Sequence, residues 1–235
     1  MVGSVTLKRG QRALRVYGVR GTVHQGLIKL AHLRNGRQHP DPFDAQHGTD
    51  TEATVRLEGL QIEGENVSLG HRYQASNSED VRKALQALPI AYEDFTFVDV
   101  GSGKGRVLLL AAEFNFRRIV GIEFASALHE IALRNIALTG LHERVEAVCT
   151  DAAEYEWPEG PLVLYFYNPF LLPVMRKILG GIVASTNGSP RPLYIILMYI
   201  SPALQAAVED VGFKQIGDTP LFCHELVQHS APIAT

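Results

Sequence analysis

The sequence has little of what marks disulfide-stapled, secreted or membrane-spanning proteins. Among its 235 residues only two are cysteines, Cys149 and Cys223, too few for a disulfide framework or for a zinc site made of cysteines alone. No apolar run approaches the roughly 18 residues that cross a bilayer. The first residues lack a charged segment followed by an apolar stretch, so we expect no secretory signal. These absences predict a cytoplasmic protein without a membrane span.

The composition is that of an ordinary folded protein. Hydrophobic residues make up 46% of the chain and charged residues 20%, which excludes collagen-like, fibrous and wholly disordered chains. The length suits one α/β domain with an extension, or at most two small domains.

The net charge of −3 is unevenly distributed along the chain. Residues 1–40 carry eight Lys and Arg residues and no acid, whereas the rest hold 14 basic and all 25 acidic residues. Such a basic arm can bind nucleic acid, an anionic lipid surface or an acidic protein. Because it has few aromatic residues to stack on bases, we favour a solvated helical face that lies on the acidic body.

The first 90 residues are predicted to form a helical and loop extension that caps the substrate side. Residues 5–35 have a helical pattern that glycines interrupt, and residues 39–44 contain two prolines that break it. A polar segment that follows is typical of ordered loop with short strands. Ser78 is then the expected N-cap of a helix that Pro89 ends.

From residue 95 onward, predicted strands and helices alternate. The strands are residues 95–100, 118–123, 145–150, 162–167 and 193–199, with a closing antiparallel pair at 213–217 and 221–228. The helices between them are residues 105–114, 126–139, 171–185 and 202–211. This alternation predicts an α/β domain over residues 91–235, with a mostly parallel sheet and right-handed crossovers.

The most informative motif is the glycine-rich turn at residues 99–106, Asp-Val-Gly-Ser-Gly-Lys-Gly-Arg. Its glycines let the backbone approach a ligand closely, and the helix that follows offers free N–H groups. A dinucleotide fingerprint requires its third glycine at the position of Arg106. A P-loop requires Ser or Thr after Lys104, where Gly105 stands instead. The spacing therefore disfavours both phosphate-binding motifs.

An acid followed by Gly-x-Gly-x-Gly at the end of the first strand resembles motif I of the class I S-adenosylmethionine (SAM)-dependent methyltransferases. SAM has no phosphate but carries an α-amino group and a sulfonium, which suit a carboxylate. The resemblance covers residues 95 to about 228 and implies a Rossmann-like, seven-stranded, mostly parallel sheet with helices on both faces, and SAM as cofactor. It places Asp99, Gly101, Ser102, Gly103, Gly105, Glu123 and Phe124 at the cofactor.

Acidic residues also end the second and third predicted strands. Glu123 lies 20 residues after Gly103, where a carboxylate can accept hydrogen bonds from both ribose hydroxyls. The resemblance implies that Asp151 meets the adenine amino group and that Ala152 lies against the ring. The local sequence equally predicts that Asp151 caps the turn after it, and both roles are compatible.

The fourth strand exits into Tyr167-Asn168-Pro169-Phe170. This exit resembles a motif of amino-group methyltransferases in which an amide holds the target nitrogen and a ring stacks on the substrate. Only one of that motif's two prolines is present, which disfavours a nucleic-acid adenine as substrate. We assign Tyr167, Asn168 and Phe170 to catalysis and Asn168 also to the cofactor, with a plain strand-exit turn as the alternative.

The segment before the core has a looser likeness to unassigned bacterial methyltransferases. The core also resembles the non-SET histone-lysine methyltransferases, in which a loop before the core folds over SAM. On this analogy Tyr73 contacts the cofactor and residues 48–51 line the substrate side. His39, Asp41, Asp44 and His47 are close in sequence but lack the spacing of a metal site, so we expect no metal.

The resemblance implies an enzyme that moves a methyl group from SAM to an amine or hydroxyl acceptor, possibly a protein side chain. A small-molecule methyltransferase is one alternative. The other is a SAM-binding module without catalysis that docks on RNA through the basic arm.

Overall fold

The computed structural model describes residues 41–52, 73–167, 172–186, 189–199 and 201–224. Its helices in these ranges are α1 (Phe43–His47), α2 (Ser78–Gln86), α3 (Arg106–Ala111), α4 (Ser126–Leu138), α5 (Leu172–Ala184) and α6 (Pro202–Glu209). Its strands are β1 (Thr96–Val100), β2 (Arg118–Glu123), β3 (Val145–Cys149), β4 (Leu162–Tyr167), β5 (Leu193–Met198), β6 (Phe213–Gln215) and β7 (Leu221–His224). Within the described ranges, no helix has the length and apolar character to cross a membrane.

The strands form one seven-stranded sheet in the order β3-β2-β1-β4-β5-β7-β6. β1 to β5 are parallel, and β7 runs antiparallel to both β5 and β6. This confirms the predicted mostly parallel sheet with an antiparallel closing pair. The strand order reverses between β1 and β4, and ligands of open α/β sheets bind in the crevice at such a point, outside the carboxyl ends of the strands.

Both faces of the sheet are covered by helices, as predicted. Strand side chains alternate between the faces. Phe97 and Val163 pack in one apolar cluster with α2, α3 and α4, whereas Val98 and Leu164 pack in a second with α5 and α6. Burial on both faces explains why β4 reads as a continuous apolar run. Asp99, by alternation, lies on the α2 side.

The start of α2 differs by one residue from the prediction. Asn77 is the N-cap, and its side-chain oxygen accepts a hydrogen bond from the Asp80 N–H at 3.0 Å. Ser78 is the first helical residue. Both residue types cap helices well, and the local sequence does not decide which of two neighbours takes the role.

The part of the predicted extension that the structure describes is packed on the sheet. Phe43, Val81 and Leu85 belong to the same apolar cluster as Phe97. Residues 41–52 form α1 and a turn, and short strands are found neither there nor in 73–77. The basic arm at 1–40 and the segment 53–72 lie outside the described residues, and the domain division at residue 90 stays a prediction.

Candidate functional site

The turn between β1 and α3, residues 101–105, is the glycine loop of the site. Its three glycines all have left-handed backbones: Gly101 at φ 87°, Gly103 at φ 54° and Gly105 at φ 86°. Glycine adopts this region without a steric cost. Another side chain at residue 103 would also collide, because an added Cβ there would overlap Cε2 of the Tyr73 ring. The loop therefore depends on glycine for its backbone and for its close neighbour.

Glu123, at the end of β2, is hydrogen-bonded to the glycine loop. Its Oε2 accepts a hydrogen bond from the Gly103 N–H and its Oε1 accepts one from the Ala125 N–H, both at 2.8 Å. The side chain is buried. Burial raises the pKa of this carboxyl, against the lowering effect of the N–H groups of Ala125, Gly103 and Phe124. Phe124 itself is half-buried.

Asp99 is a second buried carboxylate, on β1 beside Glu123. It pairs in register with Gly121 of β2 and Tyr165 of β4. Burial, and then the negative charge of Glu123, raise the pKa of Asp99 well above its ordinary value. Two buried carboxyl groups at adjacent strand ends disfavour each other's ionised form. A cationic ligand that binds next to them would stabilise their negative charge and would be stabilised in turn.

The hydroxyl of Ser102 is a further buried polar group of the glycine loop. Its Oγ is buried, and it has no hydrogen-bond partner among the described residues. Gly121 leaves room for it, since a Cβ there would lie 2.8 Å from Ser102 Oγ. A buried hydroxyl without a partner is costly. Together with Asp99 and Glu123, it fits a ligand that carries a positive charge, hydroxyls and a polar acceptor, as SAM does.

Asp151 and Ala152 follow β3 at the same sheet edge. Oδ1 of Asp151 accepts a hydrogen bond from the Ala153 N–H at 2.9 Å, and its carbonyl oxygen accepts one from the Glu154 N–H at 3.0 Å. Ala152 is buried. Asp151 thus caps the local turn, which is one of its two predicted roles. The adenine contact of both residues stays a prediction.

Residues 41–52 and 73–77, here called the pre-core strap, pack on the glycine loop. The ring of Tyr73 lies against Gly103, and its hydroxyl donates a hydrogen bond to the carbonyl oxygen of Thr51 at 2.6 Å. Tyr73 therefore stands beside the glycine loop, and its contact with the cofactor stays a prediction. Residues 48–51 contact the same region, and their substrate-side role stays a prediction.

Arg106, the first residue of α3, holds the strap and is buried. Its Nε donates to Thr51 Oγ1 at 2.6 Å, and its Nη1 donates to Asp41 Oδ2 at 3.2 Å and to the Ser76 carbonyl at 3.3 Å. The guanidinium also stands 5.3 Å from the Phe43 ring centroid. The sequence analysis missed this role, although a cation that opens the apolar run of α3 was a visible signal.

Lys104 and Asn135 make a second link between strap and core. The buried Lys104 Nζ pairs with Asp50 Oδ1 at 2.7 Å. Asn135, on α4, donates to the carbonyl oxygens of Lys104 at 2.9 Å and Asp50 at 3.1 Å. Its Oδ1 accepts from the Asp50 N–H at 3.0 Å. A buried asparagine in the middle of a helix was the only sequence signal for this link.

The residues predicted for catalysis are only partly described. Tyr167 ends β4, and its ring centroid lies 5.2 Å from that of Tyr199 in an edge-on arrangement. Tyr165, two residues earlier, donates its hydroxyl to Ser76 Oγ at 3.1 Å. Asn168 and Phe170 lie outside the described residues, so their roles stay predictions.

Asp41 and Asp44, two of the four clustered residues that lack metal-site spacing, accept hydrogen bonds within the pre-core strap or from Arg106. Oδ1 and Oδ2 of Asp44 accept hydrogen bonds from Thr49, Thr51 and Glu52, and Asp41 accepts from Arg106. Within the ranges the structure describes, no group of three His, Cys, Asp or Glu side chains is placed to hold a metal ion.

Sequence and structure comparisons find known proteins that are similar to this chain. The chain is 30% identical over 110 residues to a protein-lysine N-methyltransferase of Saccharolobus islandicus (strain REY15A), which covers 45% of this chain and 68% of that protein. The crystal structure of the [4+2]-cyclase SpnF matches with a TM-score of 0.50 and 16% identity, over 61% of this chain and 60% of that one. A SAM-dependent methyltransferase from Thiobacillus denitrificans, in complex with S-adenosyl-L-homocysteine, has a TM-score of 0.44 and 17% identity over 59% of this chain and 64% of that one. No protein-family profile matches the chain.

The curated relative and the site agree on one family, and the cyclase supports the fold alone. The relative matches at 30% identity over two thirds of its length, and the glycine loop with its two buried carboxyls is the motif expected of that family. The chain belongs to the class I SAM-dependent methyltransferases, a family of enzymes, and SAM is its cofactor.

Proposed function

We propose that the protein transfers the methyl group of SAM to the nitrogen of an amine, and that its acceptor is a lysine side chain of a protein. The proposal is carried by the buried carboxyl pair of Asp99 and Glu123 beside the glycine loop, which suits a cationic nucleoside ligand. The acceptor class is supported by the relative from Saccharolobus islandicus, which is a protein-lysine N-methyltransferase. We also propose a cytoplasmic location, in keeping with its two free thiols.

Each cofactor residue has a role that its position supports. Glu123 would accept hydrogen bonds from the ribose hydroxyls, and Asp99 would face the positive charge of the α-amino group. The hydroxyl of Ser102 would form a hydrogen bond with the ligand. The remaining contacts are assigned to the backbone of the glycine loop, to Tyr73 at the loop's outer side and to Phe124, Asp151 and Ala152 on the adenine side.

For methyl transfer, the main tasks of the protein are to align the acceptor nitrogen, the methyl group and the sulfur, and to exclude water. Bound SAM supplies a methyl group on a positively charged sulfur, which keeps the electron pair of the broken C–S bond. The acceptor ammonium must first release one proton to solvent, so that its nitrogen lone pair can form the new N–C bond. Asn168 and Tyr167 would orient that nitrogen, and Phe170 would pack against the acceptor chain.

Transfer of label from methyl-labelled SAM tests this function. Cell protein and small-molecule extract are offered separately to the purified enzyme, and labelled protein is hydrolysed to amino acids. We expect the label in methylated lysine. Label confined to the small-molecule extract, or to RNA in a parallel incubation, would overturn the proposed acceptor. Loss of RNA labelling on deletion of residues 1–40 would then identify the basic arm as the docking segment.

A further inference from the structure

The residue after β5, Tyr199, has an unusual backbone. Its φ is 58°, and it is the one non-glycine residue in the left-handed region among those that the structure describes. This conformation is unfavourable for an aromatic residue and persists only where its surroundings hold it. Strain of this kind is concentrated at functional sites, so the contacts of Tyr199 require an explanation.

The left-handed backbone brings the Tyr199 side chain to the α2 side of the sheet. Met198 pairs with Tyr167 and packs on that side, so strict alternation would direct Tyr199 to the opposite face. Instead its ring contacts Tyr167 at 5.2 Å between centroids, with an interplanar angle of 74°. Its hydroxyl lies 3.4 Å from Oδ2 of Asp80, on α2.

The side chains of Asp80, Tyr167 and Tyr199 lie on the same face of the sheet as Asp99 of the proposed cofactor site. Asp99 pairs with Tyr165 across β1 and β4, and Tyr167 is the next residue of β4 on the same face. Burial raises the pKa of Tyr165, against the lowering effect of its hydrogen bond with Ser76, and the negative charge of Asp99 raises it further. Burial likewise raises the pKa of Tyr167, and the negative charge of Asp80 raises it further. The tyrosines therefore stay neutral, and the carboxyl group of Asp80 lies beside the Tyr199 hydroxyl.

We propose that Asp80, Tyr167 and Tyr199 form the subsite that receives the acceptor as an ammonium cation. Half-buried tyrosine rings attract a cation, and a carboxylate beside them adds a charge-assisted hydrogen bond. The methylated product is again an ammonium, so the same subsite suits it. This inference rests on the proposed function, because it assigns the place where the amine of that reaction binds.

The test compares two neighbouring acids on α2. Asp80→Asn removes the subsite charge and keeps the side-chain shape. Glu79→Gln is the matched control, because Glu79 is exposed and pairs only at the surface with Lys83 at 2.6 Å. With poly-L-lysine and methyl-labelled SAM, we expect Asp80→Asn to lower kcat/KM about tenfold, mainly through KM. Glu79→Gln should stay within about twofold of wild type, and both variants should keep their affinity for S-adenosylhomocysteine.

A binding measurement separates the subsite from turnover. In the presence of S-adenosylhomocysteine near neutral pH, wild type is titrated with n-butylamine, which is then an ammonium, and with butan-1-ol, while NMR shifts are followed. We expect n-butylamine to bind saturably and butan-1-ol not to bind. In Asp80→Asn we expect the binding of n-butylamine to be lost. Equal binding of both probes, or an amine affinity unchanged by Asp80→Asn, would overturn the subsite.

Tyr199→Gly tests the reason for the strain. Glycine adopts a positive φ freely, so this variant should unfold at the same temperature as wild type or higher. Its KM for poly-L-lysine should nevertheless rise about tenfold, since one ring of the subsite is lost. A drop in melting temperature with an unchanged KM would show that Tyr199 serves stability and would contradict the proposal.

The outcomes distinguish this inference from the proposed function. If wild type methylates poly-L-lysine and Asp80→Asn matches Glu79→Gln, the subsite is wrong and the function stands. A copolymer of glutamate and tyrosine offers only oxygen acceptors in its side chains. If the label enters this copolymer, the proposed function and the subsite are both wrong. If neither polymer is labelled but Asp80→Asn abolishes n-butylamine binding, the lysine acceptor is wrong and the cation subsite stands.

Discussion

Asp99 is a buried acid whose environment opposes its charge. Its pKa is raised by burial and then by Glu123, so the folded protein binds its proton more tightly than the unfolded chain does. This contribution to stability is complete below about pH 4, the ordinary pKa of aspartate, and is lost as the pH rises through the raised value. Near neutral pH, the burial of this acidic group therefore destabilises the protein without its ligand.

We accordingly expect Asp99→Asn to unfold at a higher temperature than wild type near neutral pH, with a difference that shrinks towards about pH 4. The same variant should bind SAM more weakly, because the charge that faces the cation is gone. Thermal unfolding across this pH range and calorimetry with SAM check both effects. Asp94→Asn, at an exposed acid, is the control, and a lower melting temperature for Asp99→Asn near neutral pH would contradict this account.

Glu123 is also a buried acid with a raised pKa, but its carboxyl group accepts hydrogen bonds from two N–H groups. Glu123→Ala removes these bonds and the proposed ribose contacts, so SAM should bind about 1–3 kcal/mol more weakly. Glu146→Ala, at a half-exposed residue of β3, should leave the affinity unchanged. Calorimetry measures both, and an unaltered affinity in Glu123→Ala would remove this residue from the cofactor site.

At the scale of elements, the guanidinium of Arg106 links α3 to both parts of the pre-core strap. Arg106 donates to three oxygens whose residues come from both parts of the strap. A lysine keeps the charge but has a single nitrogen and no fork, so it cannot reach these partners together. The strap, and with it Tyr73 on Gly103, should therefore loosen in Arg106→Lys.

We expect Arg106→Lys to lower the free energy of unfolding by about 2 kcal/mol, since buried partners lose their bonds. It should also weaken the binding of S-adenosylhomocysteine. The matched control is Arg118→Lys, whose partner Glu146 is about half exposed; an exposed pair contributes less than about 1 kcal/mol. Equal losses in the two variants, by denaturant unfolding, would show that the strap does not depend on Arg106.

For the whole molecule, a ligand that binds only the folded state raises its melting temperature. At about 100 times its Kd, SAM should add about 2.7 kcal/mol. In a chain of this length, that corresponds to a shift of roughly 5–10 °C. NAD at the same concentration should leave the melting temperature unchanged, because the loop spacing disfavours a dinucleotide. A larger shift with NAD would contradict the cofactor.

The architecture was largely predictable because its signals are local. The ranges predicted for β2 and β4 coincide with the observed strands, since continuous apolar runs bounded by turns are typical of buried parallel strands. The glycine loop followed from three positions in one turn. The cap of α2 was wrong by one residue, because Asn77 and Ser78 are neighbours of similar capping strength.

The sequence by itself determined the mostly parallel sheet and the glycine loop, because strand–helix alternation and three glycines in one turn are local signals. Only the tertiary structure decided which distant residues meet. Arg106 reaches Asp41 across 65 positions, and Tyr199 reaches Asp80 across 119. Such contacts form when helices and strands pack, and packing brings together residues that no local pattern relates.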